Sequence, residues 1–356
     1  MTIFKSYCKG STSAAVLGEL ICNTLKESIV QADYDQTAID MAGEMQLSHP
    51  PFSGNRSNME KHILTSLAEE NVDNFMTYIH NPRKHFERCI RENVEKYILT
   101  EKRSKILTMI EGNIKVKEQR VSHAVHTATN TVKNKNGDTN MWLRELSSAL
   151  KDELKFAEKH FSDFCDITDF DFIKEEVRKD LANRIIEINR SLSNVSLLDM
   201  KQFMERPDEI LIKHFCDCCW VQCPFCKAIC TNTMEGHKHN VPFHRPKGIN
   251  GCHFKDTVEF WIDVCTTSVT SNGWFYPSHE SEDKYILKEY RKVGPGFADW
   301  SITPDLSELP YWKWFVCRFQ EDLERYYDLK FQRIGEIPTE WMKFTKQQAI
   351  ESLKKI

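Results

Sequence analysis

Residues 216–244, CDCCWVQCPFCKAICTNTMEGHKHNVPFH, decide how the chain is read. Six cysteines, Cys216, Cys218, Cys219, Cys223, Cys226 and Cys230, fall within 15 residues, and His237, His239 and His244 follow. At the centre stands Cys223-Pro224-Phe225-Cys226, two thiols in a tight turn that can aim both sulfurs at one ion. A structural zinc site closes all four tetrahedral positions with Cys and His. His239 and His244, five apart, have a spacing that suits the second pair. The expected centre is one structural zinc per chain, held by Cys223, Cys226, His239 and His244. Cys219, four before Cys223, and Cys230, four after Cys226, are surplus ligands together with His237, and any of them could replace one of the four.

A catalytic metal would leave one position open and place a carboxylate beside it, as in His-Glu-x-x-His, and no such run occurs. The zinc deaminase signature needs Pro-Cys-x-x-Cys, where this chain has Cys-Pro-Phe-Cys. No Gly-x-x-x-x-Gly-Lys-Ser/Thr loop is present to cradle phosphates, so these residues are not expected to bind or hydrolyse GTP or ATP. Gly294-Pro295-Gly296 is stiffened by its central proline and reads as a turn.

Working outward, the chain has 356 residues, 40% of them hydrophobic, enough for a sizeable core and for two domains. Lys+Arg 48 against Asp+Glu 52 gives a net charge of -4, with no overall pull toward nucleic acid or anionic lipid. Thirteen cysteines in a long chain, nearly half of them in one run, read as metal ligands rather than as a secreted disulfide framework. The longest apolar stretch of the N-terminus, Ala14 to Gly18, is closed by Glu19 and is too short for a signal peptide core. No run approaches the roughly 18 apolar residues of a membrane span. An intracellular chain without a membrane segment is expected.

From residue 11 to about 215 the periodicity is helical. Pro82 suits the first position of a helix capped by Asn81, and Phe86, Ile90, Val94 and Ile98 recur four apart on one face. A second stripe, Leu143, Leu146, Leu150 and Leu154, follows the loop from Lys133 to Thr139, with Asn140 as the expected cap. After residue 206 the composition changes: seven of eight tryptophans, most prolines and the Cys/His run lie there. A last aromatic stripe, Trp312, Phe315, Phe319, Leu323 and Tyr326, is expected to follow Ser307 as cap with Pro310 in its first turn. The predicted architecture is mainly α: a helical region over 1–205, then a small, zinc-stabilised, loop-rich α domain over 206–356.

Taken with its flanks, the run resembles the C-terminal region of the very large interferon-inducible GTPases. The residues that carry this are Cys219, Cys223-Pro-Phe-Cys226, Cys230, His239 to His244-Arg245-Pro246 and Gly251. Trp300-Ser-Ile302-Thr-Pro304, Tyr311-Trp312-Lys313 and Ile337-Pro338 to Trp341 with Ala349 and Leu353 agree further. The helical region, including Ser57 to Tyr78-Ile79, is similar to the portion that precedes this cluster in the family. The resemblance implies a cytoplasmic and nuclear protein of a GTP-binding family. Because the nucleotide-binding domain lies upstream of this region in family members, the chain looks like a fragment, a short isoform or the product of a truncated gene.

Two functional classes follow, with a third beside them. The first is a non-catalytic module in which zinc orders an irregular stretch and helices serve assembly with protein partners or with further copies. A RING-like adaptor in ubiquitin transfer would need two ions and about eight interleaved ligands; twelve Cys and His from His214 to His253 allow the number, but a single Cys-x-x-Cys pair argues against the spacing. Binding of nucleic acid is disfavoured by the slightly acidic chain and the missing recognition helix, although basic residues outnumber acidic ones five to two between Cys223 and Asp256.

Overall fold

The computed structural model describes all residues except 1, 70, 102, 157–160, 162, 163, 165, 166, 195–203, 233–235, 279 and 307, and for 2–11, 100, 101, 103 and 192–194 it describes the backbone. The helices are α1 (Thr2–Ser48), α2 (Arg56–Leu67), α3 (Val72–His80), α4 (Pro82–Lys96), α5 (Arg103–Lys135), α6 (Thr139–Leu150), α7 (Phe170–Asn194), α8 (Pro207–Cys216), α9 (Cys265–Ser268), α10 (Pro310–Arg318), α11 (Gln320–Tyr327) and α12 (Lys346–Leu353). One antiparallel pair, β1 (Trp274–Phe275) with β2 (Tyr285–Ile286), aligns Trp274 with Ile286. The fold is mainly α, as the periodicity predicts.

Two compact units divide the chain, Met1–Glu44 with Asn93–Ile210 and Met45–Glu92 with Leu211–Ile356. The sequence places its boundary at 205/206, close to the last crossing, and gives no sign that residues 45–92 belong with the Cys/His region. That grouping comes from pairings across more than a hundred residues, which local periodicity does not encode.

In the first unit, α1 buries Leu17, Ile21, Leu25 and Ile29 at helical spacing, α6 buries Trp142, Leu143, Leu146 and Leu150, and α7 buries Ile173, Val177, Leu181 and Ile188. α5 packs on both α6 and α7. Trp142 stays inside because its indole Nε1 donates to Thr129 Oγ1 at 3.0 Å. Asp138, rather than the expected Asn140, caps α6, accepting from Met141 N at 2.8 Å. Its carboxylate also complements the positive end of the helix. One carboxyl group is placed at a cost: Asp33 of α1 is wholly buried, and neither carboxyl oxygen has a hydrogen-bond partner among the described residues.

In the second unit, α12 opens with a capping box between Thr345 and Gln348 and packs on α2 and α10. Tyr311 OH donates to Leu64 O, and Phe75 of α3 lies 4.3 Å from the Phe315 ring of α10, so 45–92 and the C-terminal helices share one core. The expected aromatic stripe is split into α10 and α11 at Phe319, whose φ of -114° and ψ of 25° break the helix. Trp312, Phe315, Phe319 and Leu323 are buried, but Tyr326 is exposed. Ser307, the expected cap, lies outside the described residues. Gly251 is required where it stands: its φ is +79°, and a Cβ there would come within 2.8 Å of the Tyr327 ring.

Candidate metal centre

The ligand run folds as a short hairpin. Cys223 N donates to Ala228 O at 2.8 Å, Cys230 N to Val221 O at 2.8 Å, and Gln222 bridges Ile229. Pro224 and the left-handed Lys227, φ +55°, tighten the tip so that Cys223 and Cys226 face the same way. Cys219 and Cys230, four residues outside each tip cysteine, lie at the base.

From this hairpin two groups of four ligands form. Cys223, Cys226, His244 and Cys265 are all buried, and their ligand atoms all lie within 4.8 Å of one another. Cys219, Cys230, His237 and His239 form the second group under the same limit; Cys230 is buried and the other three are half-buried. Three of the four residues expected to share an ion, Cys223, Cys226 and His244, are therefore together. His239 is not with them. It sits with Cys219, Cys230 and His237, the three residues the sequence leaves as surplus. The backbone explains the separation: His239 is clamped into a parallel bridge with Trp300, His239 N donating to Asp299 O at 2.9 Å and its carbonyl accepting from Ser301 N at 2.8 Å. Pro242 then turns the chain away toward the other group.

Cys265 is the candidate ligand that sequence reasoning missed. It stands 21 residues after His244, at the start of the four-residue α9, where the antiparallel bridge between Pro246 and Val264 returns the chain to the hairpin tip. Cys265 Sγ lies 2.9 Å from His244 Nδ1 and 3.9 Å from Cys223 Sγ, and Cys226 Sγ lies 3.2 Å from the same nitrogen. With zinc bonds of about 2.3 Å to sulfur and about 2.0 Å to nitrogen, ligand atoms of a tetrahedron stand roughly 3.3 to 3.8 Å apart. The quartet is thus close to the size zinc needs, and no position is left for water.

Its electrostatics fit a metal. Burial pushes the Cys223 and Cys265 thiols well above their usual range. Burial acts on Cys226 in the same direction, but hydrogen bonds from Cys223 and Cys265 and the adjoining His244 outweigh it and hold this thiol well below its usual range. A divalent cation would deprotonate all three and release protons on binding. Three thiolates, one neutral imidazole and one zinc sum to a single negative charge, and buried cations stand around it. Arg245 donates from Nε to Cys226 O at 3.1 Å and from Nη2 to Lys227 O at 3.2 Å and Asn250 Oδ1 at 2.9 Å. Lys247 is buried, with Nζ 3.7 Å over the Trp261 ring and 3.3 Å from Ser268 Oγ. Burial draws its amine down to about 8, while Asp263 and the Cys265 thiol pull the other way.

The quartet is also built into the core. Its three cysteines, Cys223, Cys226 and Cys265, belong together with Cys230 of the other group to one buried cluster with Phe225, Val241, Phe275, Leu287, Tyr290, Trp300 and Ile302. Phe225, between the two tip cysteines, packs edge-on against Phe275 at 4.9 Å, and Tyr290 OH joins Trp300 O and Ile302 N at 3.0 and 3.1 Å. Cys216 and Cys218 lie outside both groups; Cys218 Sγ instead accepts from Arg56 Nη1 at 2.9 Å.

A family model described as "Interferon-induced very large GTPase 1, C-terminal domain" matches residues 219–353, a span that opens on Cys219 and contains all eight candidate ligands. The Mus musculus protein "Interferon-induced very large GTPase 1" is 37% identical over 357 residues, covering 99% of this chain and 14% of its own length. Its Homo sapiens counterpart is 36% identical over 361 residues, covering 99% of this chain and 15% of its own length. No solved structure matches the chain. The residues that carry the resemblance, the matched domain and the identity along nearly the whole chain agree, and the chain belongs to the very large interferon-inducible GTPase family, as a C-terminal region of it.

Proposed function

We propose that the chain is a non-catalytic interaction module of this family, in which a structural zinc at Cys223, Cys226, His244 and Cys265 fixes the core of the second unit. The observation that carries this reading is the closed, fully buried Cys3His quartet. Four protein ligands leave no coordination site for water or substrate, and metal binding supplies folding free energy to a segment with little regular structure. Thiolate ligands need a reducing setting, which is why we assign the chain to the cytoplasm and nucleus. Among the described residues no helix is long and apolar enough to cross a membrane.

Enzymatic work is assigned elsewhere: the GTPase named in the relatives requires a phosphate loop, and these 356 residues contain none. Protein partners or further copies of the chain are the proposed ligands of the module. Eight ligands in two groups bear on the RING-like alternative, because their number is the one it needs. Their order is not. Cys223 and Cys226 of one quartet lie inside Cys219 and Cys230 of the other, and three ligands of the second quartet, Cys230, His237 and His239, then follow in a row. Successive pairs do not alternate between two ions, so an adaptor in ubiquitin transfer is the weaker reading.

Limited proteolysis tests the structural role. Cys223→Ser should make 211–356 sensitive to cleavage while the helices of the first unit stay resistant. Equal resistance in variant and parent would refute it.

A further inference from the structure

The second quartet has chemistry of its own. His239 Nδ1 faces Cys219 Sγ at 3.4 Å and His237 Nε2 at 3.2 Å, and that same His237 nitrogen faces Cys230 Sγ at 3.2 Å. Two ring nitrogens and two sulfurs thus point into one space, with separations close to the roughly 3.3 to 3.8 Å of a zinc tetrahedron. Two thiolates and two neutral imidazoles would cancel the charge of a divalent ion, so this quartet needs no buried counterion, unlike the Cys3His group.

We propose that Cys219, Cys230, His237 and His239 bind a second zinc ion, and that this ion is the exchangeable one of the pair. Accessibility distinguishes the two sites: Cys219, His237 and His239 are half-buried, while every ligand of the other quartet is buried. A chelator can reach the ion of the half-buried quartet from solvent and must wait for the core to open to reach the ion of the Cys3His quartet.

The exchangeable ion also has a structural dependant. Arg56, at the start of α2, is buried, and its Nη1 donates to the carbonyls of both Cys219 and Cys230, at 3.1 Å to the latter. Its guanidinium lies 3.7 Å over the Trp220 ring. The two carbonyls it joins belong to the two proposed cysteine ligands at the base of the hairpin, so the metal and Arg56 would fix the same two residues. Emptying the site loosens that base and with it the hold on α2.

The proposal rests on the family module described above but not on occupancy of its buried quartet, and the experiment separates them. The 356-residue chain saturated with zinc is followed by native mass spectrometry and by release to the chromogenic chelator 4-(2-pyridylazo)resorcinol. Two zinc ions per chain, one released ahead of the other, are expected, with His237→Ala/His239→Ala removing the fast equivalent and keeping the slow one. Cys219→Ser provides a second variant with the same expected loss. If Cys265→Ser removes the slow equivalent alone, both sites stand; if the parent holds only a fast equivalent, the second-site proposal survives and the buried-site reading fails. A parent with a single zinc that neither Cys219→Ser nor the histidine pair affects overturns the proposal. Hydrogen exchange across 56–67 should rise once the fast equivalent is gone, and unchanged exchange there overturns the coupling through Arg56.

Discussion

Replacing Cys265 with serine removes one of the four proposed zinc ligands from the buried quartet and puts a poorly ligating hydroxyl in a site with no exposure. Structural zinc sites bind with apparent free energies of about 10–16 kcal/mol at neutral pH, so one ligand in four is worth about 3 kcal/mol. Domains are commonly stable by only about 5–15 kcal/mol, so that loss is large. For a urea dependence near 2–3 kcal/mol per molar, the unfolding midpoint should fall by about 1 M. Tryptophan fluorescence isolates the unit concerned, because seven of the eight tryptophans lie in 211–356 and only Trp142 lies in the other unit. Far-UV circular dichroism follows the helices of both. The fluorescence transition should move down in urea, with part of the helical signal lost later. Cys317→Ser is the control, since Cys317 belongs to neither quartet. A Cys265→Ser protein with the midpoint and zinc content of the Cys317→Ser control would show that the Cys3His grouping binds nothing.

Two further outcomes are expected. Burial raises the Asp33 carboxyl to about 8, outweighing the nearby Lys117. Because its folded value lies above its unfolded one, the folded state binds the extra proton between about pH 4 and pH 8, and stability should fall as pH rises through that window. Asp33→Asn should flatten the decline, read as the urea midpoint of helical signal at pH 5.5 and 8; the same slope in both proteins would rule this out. Titration of this chain with labelled GTP and magnesium should show no saturable micromolar binding, and a binding curve would mean that a nucleotide site exists without a phosphate loop.

The helices were legible because their apolar residues repeat at the period of the helix: Phe86, Ile90, Val94 and Ile98 are all buried as the spacing requires. Cap positions were less so, since Asp138 and Asn140 are both capable caps and the fold selects the one whose side chain reaches Met141 N. Residues 45–92 carry no mark of their partners, because Arg56 meets Cys230 from 174 residues away and Tyr311 meets Leu64 from 247. At the candidate metal centre, the grouping of Cys223, Cys226 and His244 is readable from short spacing. The partition of the histidines was not. His239 and His244 are near in sequence, yet the bridge of His239 to Trp300 holds it at the base of the hairpin while His244 reaches the tip. Cys265 gives no local signal, because only the pairing of Pro246 with Val264 brings it back.

The buried quartet is tested most directly by zinc K-edge X-ray absorption on a Cys219→Ser/His237→Ala/His239→Ala protein, in which that quartet alone is intact. A first shell of three sulfurs at about 2.3 Å and one nitrogen at about 2.0 Å is the predicted result. A metal-free protein, or zinc surrounded by oxygen and nitrogen, would contradict it.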